Sequence, residues 1–521
     1  MPVVDVHVRS ADRVGFDFDQ DVAKARFGFG PHFVFCAGAW SGFDDTVHLF
    51  LGRIGWQVTF HSLSTPCKIL LAKKQVPPGA ICLLLFCNCL GYFIERSRAT
   101  ISDGVNRHQK DFTLVRPTFF SLSQEPEFQR EPLQKALRLE LEGLDRDDLL
   151  WRIRTLQSPS APHAKVEGKT VLVLCSNNYL GLANHPKLKQ AAVTATRKYG
   201  AGSGSVRVIA GTMDLHLKLE KILADFKETE SSITFQSGYA TNLGTVSALV
   251  DERDLIISDE LNHGSIIDGC RLTRAERRVY KHRDVGDLEK QLQDTSKFRR
   301  VLIITDGVFS MDGDIAPLKD IVNLAGENQA IVYVDDAHGD GVLGENGRGI
   351  TNHFHVEGRV DVDMGTFSKA FGCVGGYVAG SKDLCTYLQN KVRSFLLSGS
   401  QPPAIPGACI AALQLVQRQP SLVKRLWDNT RYFKKGLEGL GFDTGNSETP
   451  ITPVMTGESG KARKVADTMF KLGVFVLPIV YPMVARDRAR IRTIVTSAHS
   501  REDLDVALAT FEKAGKQIGL I

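Results

Sequence analysis

No apolar run in the sequence reaches the roughly 20 residues that a membrane-spanning helix requires. The most apolar stretch, 80–94, stops short of that and reads as a buried element rather than an anchor. A secretory leader is not expected either, because Asp5, His7, Arg9 and Asp12 interrupt the first residues. Cys82, Cys87 and Cys89 have no histidine at zinc spacing, which argues against a metal site, and the remaining cysteines are scattered. Reduced thiols in a cytoplasmic protein are therefore expected. Neither charge dominates: 64 basic and 59 acidic residues leave a net +5, too little to argue for nucleic acid but enough for local anion-binding clusters. Internal repeats and low-complexity runs are absent.

The 521 residues, 43% hydrophobic and 24% charged, are ordinary for a soluble chain and leave room for more than one domain. Residues 1–116 mix hydrophobic and polar residues without a sustained period, and no fold is assigned to them. They read as an ill-ordered extension, a separate module, or a segment outside the normal translation product. A helical segment is expected within 117–169. There Leu133, Leu137, Leu141 and Leu144 recur at helical spacing, followed by a turn at 165–168.

From 170 to 403 strand-like runs (170–174, 232–235, 255–258, 300–305, 331–334, 360–364, 376–379) alternate with helical stretches at 186–199, 215–226, 285–294 and 318–327. This spacing predicts an α/β domain with a mostly parallel sheet, in which ligands bind beyond the carboxyl ends of the strands. A smaller α+β domain is expected over 404–521, with helices at 404–417, 421–440, 461–472 and 501–518 and strands at 452–455, 474–478 and 490–496.

Chemistry-bearing residues fall at the predicted strand ends. Gln236-Ser237-Gly238-Tyr239-Ala240-Thr241-Asn242 follows a strand and opens a helix, where backbone amides can meet an anion; taken alone, an ordinary helix cap with no ligand is the simpler reading. His263, in Asp259-Glu260-Leu261-Asn262-His263, can stack on a flat ring or merely cap a loop. Asp335 ends a buried strand, where a carboxylate is costly unless paired; a protonated pyridine nitrogen would pair it, and His338 could reach the ring's phenolic oxygen. Lys369, in Gly365-Thr366-Phe367-Ser368-Lys369, sits on a Gly-bounded turn where partial desolvation would free its amine for a Schiff base, with Thr366 and Ser368 offering hydroxyls. Together these parts describe a pyridoxal phosphate (PLP) site.

The stretch from about 145 to 521 resembles the α-oxoamine synthases, PLP enzymes of fold type I. The matching segments include Ser176-Asn177-Asn178-Tyr179-Leu180-Gly181-Leu182, Asp306-Gly307-Val308-Phe309-Ser310-Met311-Asp312-Gly313, Asp335-Asp336-Ala337-His338-Gly339 and the Lys369 turn. The resemblance implies a PLP-dependent transferase fold with a large domain and a smaller C-terminal one. It implies that Lys369 anchors PLP and moves the substrate α-proton, that Asp335 faces the ring nitrogen, His338 the ring oxygen and His263 the ring face. It further implies phosphate contacts from Gly238, Tyr239 and Thr366, with Ser310 near the ring. Ser398 would reach the cofactor of a neighbouring subunit in a homodimer. Asn177 and Arg492 would grip the amino-acid carboxylate. Arg490 and Arg492 share a strand face, so that choice stays open.

Within the family the pattern is nearest to the glycine C-acetyltransferase group, which implies condensation of glycine with acetyl-CoA to 2-amino-3-oxobutyrate. The alternatives are alanine with pimeloyl-CoA, as in 8-amino-7-oxononanoate synthases, or serine with a long acyl chain, as in serine palmitoyltransferases. A non-catalytic partner subunit is the reading from another class; it would lack the lysine, which is present.

Overall fold

The computed structural model describes residues 132–147 and 149–521, together with the backbone of four strands nearer the N-terminus. The chain divides into two units, Met1–Ser123 and Gln124–Ile521. In the first, Trp40–Ser41, Thr46–Leu51, Trp56–His61 and Ile69–Lys73 pair successively as an antiparallel meander. No fold was expected there, although the two longest strands are rich in β-branched and aromatic residues. The apolar run 80–94 and the five cysteines before residue 100 lie outside the described residues. Among the described residues, no helix is long and apolar enough to cross a membrane.

The second unit opens with α1 (Leu133–Arg146), whose leucine stripe is present but faces no core among the described residues: Leu133, Leu137, Leu141 and Leu144 are all exposed. A hairpin follows, β1 (His163–Val166) and β2 (Lys169–Val173), then α2 (Pro186–Tyr199) and α3 (Asp214–Lys227).

The large sheet has seven strands: β3 (Ser231–Phe235), β4 (Leu255–Asp259), β5 (Glu276–Tyr280), β6 (Val301–Asp306), β7 (Ile331–Asp335), β8 (Val362–Thr366) and β9 (Gly376–Gly380). Their spatial order is β3-β9-β8-β7-β6-β4-β5, and only β9 runs against the rest. The central strands are apolar throughout because both faces are covered. Ile257, Ile303, Val332 and Val334 enter one core, and Ile256, Leu302, Ile304 and Tyr333 enter the other. Each such side chain, fully buried, contributes about 1.5–3 kcal/mol. α4 (Gly238–Leu249) and α5 (Gly264–Arg271) cover the second face through Val246, Leu249, Ile266 and Cys270.

Beyond the sheet come α6 (Ala404–Arg418) and α7 (Ser421–Gly439). The C-terminal part adds β10 (Ile451–Gly457), α8 (Ser459–Lys471), β11 (Val474–Phe475), β12 (Leu477–Ile479), β13 (Ala489–Ile494) and α9 (Arg501–Ile518). β10, β13 and β12 form an antiparallel sheet, while β11 joins β2 in parallel.

Chain order and packing part company at both expected domain limits. The hairpin bonds to β11, and Leu172 and Leu174 bury with Val454, Ile491 and Phe511 in the C-terminal core. α6 instead contributes Cys409, Leu413 and Val416 to the large core, and α7 bridges both through Leu426 and Phe433.

Candidate active site

Strands running one way bring their carboxyl ends to one edge, and in this sheet those ends converge on a cavity of about 280 Å³. Lys369, Asp335, His338, His263, Gly238, Tyr239, Ser310 and Thr366 all line it. Ser237, Asn242, Ser265, Asp306 and Ser368 line it too. The sequence marked the first group as cofactor-site residues and gave none of the second group such a role, apart from the Ser237 turn and the hydroxyl of Ser368.

Asp335 ends β7 in register with Asp306 of β6 and Met364 of β8. It is buried, and its carboxylate is held by two donors: Ala337 N at 3.0 Å and Asn242 Nδ2 at 2.6 Å. Asn242, on the first turns of α4, is itself fixed by the Tyr333 hydroxyl at 2.7 Å and also donates to Ser265 Oγ at 2.8 Å. Ser265 Oγ lies 2.6 Å from His263 Nδ1. His263 thus caps α5 and lines the cavity at once. Its amide donates to Asp306 Oδ2 at 2.8 Å, and burial and the Asp335 charge raise the Asp306 carboxyl well above its ordinary range.

His338 Nδ1 lies 2.7 Å from the Tyr179 hydroxyl. Burial, reinforced by the charges of Lys369 and Arg492, lowers the His338 pKa well below its usual value, and burial raises that of Tyr179. The phenol therefore donates, Nδ1 accepts, and Nε2–H is left as the donor toward the cavity.

Lys369 lies on the turn between β8 and β9. Phe367 N to Gly375 O (3.0 Å) and Cys373 N to Phe367 O (2.8 Å) close that turn. Gly372 has φ +65, and a Cβ there would collide with the backbone at Ala183. Gly376 packs directly on Gly238, so a side chain would push β9 off the start of α4. Burial lowers the Lys369 pKa against the opposing pull of Asp335 and Asp306, favouring the neutral amine. Thr366 is buried and donates to Gly375 O at 2.6 Å, while the amides of Gly238 and Tyr239 sit in the first turn of α4 with no carbonyl behind them. The Tyr239 hydroxyl turns away to Asp268 Oδ2, at 2.7 Å.

Arg492 of β13 approaches from the small sheet. Its Nε donates to Ser310 O and its Nη1 to Asn177 Oδ1 at 3.0 Å, while its Nη2 is buried with no partner. Arg490 pairs with Asp312 and donates to Met311 O at 3.1 Å. Both arginines thus face the 310–312 loop, but Arg490 is consumed by it and Arg492 keeps a donor to spare. Asn177 and Arg492 do not themselves line the cavity but meet it through Ser310, whereas Ser398 is not brought in. It lines a separate small cavity with Arg207, Phe235 and Gln401.

Comparison with known proteins decides the family. The aminotransferase class I and II family matches residues 169–511. An 8-amino-7-oxononanoate synthase from Symbiobacterium thermophilum is 55% identical over 73% of this chain and 98% of its own length. Another from Thermoanaerobacter pseudethanolicus is 54% identical over 74% and 98%. A solved serine palmitoyltransferase from S. paucimobilis, described with a bound PLP–myriocin aldimine, is 31% identical, with TM-score 0.72 over 75% of this chain and 100% of that one.

The chain belongs to the α-oxoamine synthase family of PLP-dependent acyltransferases. Its fold is PLP-dependent fold type I, and its cofactor is PLP. The residues of this synthase fit that cofactor. The cavity floor offers a buried carboxylate oriented by two donors, one wall carries unpartnered helix-start amides, and an amine with lowered pKa stands opposite. A Cβ at Gly238 would come within 3.3 Å of Met364 Cε, narrowing the amide wall. Tyr179, Asn242 and Asp306 went unassigned in the sequence, although all three lie inside segments that carried the family resemblance or the strand-end motifs. Each is hydrogen-bonded to a residue of the cavity lining: Tyr179 to His338, Asn242 to Asp335 and Ser265, and Asp306 to the His263 amide.

Proposed function

We propose that this α-oxoamine synthase condenses L-alanine with pimeloyl-CoA to give 8-amino-7-oxononanoate, releasing CoA and CO2. The observation that carries the substrate choice is the identity of 50–55% to 8-amino-7-oxononanoate synthases across nearly their whole length. Those relatives support the alanine and pimeloyl-CoA alternative over the glycine and acetyl-CoA pair first expected. The serine palmitoyltransferase likeness, at 31% identity, supports the shared chemistry more than the shared substrate.

PLP, when bound, supplies an electron sink for a carbanion at the amino acid's Cα. The Lys369 amine removes and returns the α-proton, and its lowered pKa suits it to act as a base. The Asp335 carboxylate keeps the pyridine nitrogen protonated, a task its two amide donors support by orienting both oxygens. His338 Nε2–H donates to the ring oxygen, His263 covers the ring face, and Ser310 lines the ring's surroundings. Gly238, Tyr239 and Thr366 bind the phosphate, the first two through helix-start amides. The unpartnered Nη2 of Arg492, steadied by Asn177, takes the substrate carboxylate. Ser398 lies away from its own chain's cavity, which supports a role in the site of a second copy and so a homodimer.

A thiol-release assay across glycine, alanine and serine with acetyl-, pimeloyl- and palmitoyl-CoA tests the substrate choice. Alanine with pimeloyl-CoA is expected to have the highest kcat/KM. A higher value for glycine with acetyl-CoA, or for serine with palmitoyl-CoA, would overturn it. Arg492→Lys is expected to raise the amino-acid KM by roughly 10- to 100-fold, because a lysine cannot reproduce the planar fork. An unchanged KM would remove Arg492 from the carboxylate site.

A further inference from the structure

Outside the cavity, one side chain joins the two loops that carry His263 and Ser310. His282 follows β5 and stands between two buried carboxylates: Nδ1 lies 3.0 Å from Asp259 Oδ1 and Nε2 lies 2.7 Å from Asp314 Oδ2. Its ring meets Phe309 edge-on, 4.3 Å between centroids. The other charged groups around it are Glu260, which accepts the His282 amide at 2.9 Å, Arg283, which reaches Asp314 at 3.3 Å, and Glu448, which pairs with Arg283 at 3.0 Å. Burial alone would lower the imidazole's pKa, but the bonds to Asp259 and Asp314 outweigh it and push the value up to about 9. At neutral pH both ring nitrogens then carry protons, the state in which an imidazole donates in two directions.

What the bridge joins gives it a role. Asp259 ends β4 and opens the turn to His263, accepting Leu261 N at 2.9 Å. Asp314 closes the loop that begins at Phe309: Phe309 N donates to Asp314 O at 3.0 Å and Gly313 N to Phe309 O at 2.8 Å. The opposite side of that loop is gripped by Arg490 and Arg492 from the small sheet.

We propose that His282 is a positioning residue for the amino-acid substrate: its bridge fixes the Ser310 loop against the His263 turn, and the loop in turn fixes Arg492. This deepens the proposed function, since it rests on Arg492 as the carboxylate grip. The raised pKa sets the sign of the pH dependence. The bridge is fully present below about pH 6.5 and is lost as the pH rises through about 9.

The test compares the holoenzyme with His282→Gln, His282→Arg and Arg492→Lys, measuring KM for both substrates from about pH 6 to 10. His282→Gln is expected to raise the amino-acid KM about tenfold and to leave the acyl-CoA KM within about twofold. His282→Arg, whose cation does not titrate in this range, is expected to restore most of the loss and to lack the wild type's alkaline rise in amino-acid KM. The wild-type His282 ring, identified in spectra of histidine-labelled protein by its absence from His282→Gln, is expected to titrate near 9. A ring that titrates below about 7, an equal rise in both KM values, or no rescue by arginine would each overturn the proposal. If Arg492→Lys raises the amino-acid KM and His282→Gln does not, the bridge alone falls. If Arg492→Lys has no effect, the carboxylate reading falls with it.

Discussion

Replacing Lys369 by alanine is expected to abolish turnover, by at least about 10⁴-fold in kcat, while leaving the folded structure in place. The size follows from two losses at one atom. On the proposed roles, the Nζ amine is the nucleophile toward the cofactor's carbonyl and also the base that takes the α-proton. No second lysine lines the cavity to replace it. Lys369 lines the cavity, and its turn is held by the backbone bonds of Phe367, Gly372 and Cys373 rather than by the side chain. Melting temperatures of the two proteins should therefore agree within a few degrees, since the substitution enlarges an existing cavity and leaves the Asp335 carboxylate held by Ala337 N and Asn242. Borohydride reduction followed by peptide mass spectrometry supplies a readout independent of activity: PLP should become fixed to the Lys369 peptide in the wild type and to none in the variant. Substantial residual turnover, or cofactor fixed to another lysine, would remove Lys369 from its assigned role.

How far such a site can be read from sequence depends on whether a residue's chemistry is announced locally. β6 and β7 were legible because Val301–Asp306 and Ile331–Asp335 are unbroken apolar runs ending in an acid, which marks a buried strand and its carboxyl end together. β5 was not: Glu276–Tyr280 reads Glu-Arg-Arg-Val-Tyr, the charged pattern of a sheet edge, and passes for loop. The Lys369 turn was readable from its glycines and small residues. Tyr179 was not assigned, because its hydroxyl acquires meaning only on reaching His338, far along the chain. Asn242 likewise matters for the side chains it meets, Asp335, Ser265 and Tyr333, and no spacing rule connects those four. The hairpin at 163–173 was grouped by chain order, whereas strand pairing with Val474–Phe475 assigns it to the C-terminal core. Acyl-chain preference was read first from short motifs, none of which reports a pocket, and near-full-length identity to named relatives supports the proposal of a different acyl group.

Lys227→Met is expected to destabilise the protein by about 3–5 kcal/mol, the usual cost of stranding buried charge. Lys227 ends α3 with its ammonium fully enclosed, 2.9 Å from Asp340, 3.0 Å from Asp363 and 3.4 Å from Asp336, and it donates to Arg348 O at 2.9 Å. Burial alone would neutralise it, but those three carboxylates more than offset that and hold it charged. One ammonium cannot balance three carboxylates, so the cluster also retains protons. Burial raises Asp336 well above its ordinary range and Asp340 to about 6, even with the lysine in place, and the Tyr377 hydroxyl bonds Asp340 on its far side. Such groups fold with a raised pKa. The contribution of Asp340 to stability is therefore complete below about pH 3.8 and is lost as the pH rises through about 6. Without Lys227 the carboxylates should hold protons to still higher pH, so the variant's deficit should be larger at pH 8 than at pH 5. Urea midpoints of both proteins at the two pH values measure this directly; an equal deficit would show that lost packing, not stranded charge, is the cause. Adding Asp340→Asn removes one of the stranded acids and should recover part of the loss, a non-additivity that packing would not produce. The cluster stands one residue past Asp335 and three before Thr366, on the two chain segments that carry the cavity's acid and its lysine turn. A charge network outside the cavity lining thus ties together the two strand ends that carry Asp335 and the Lys369 turn.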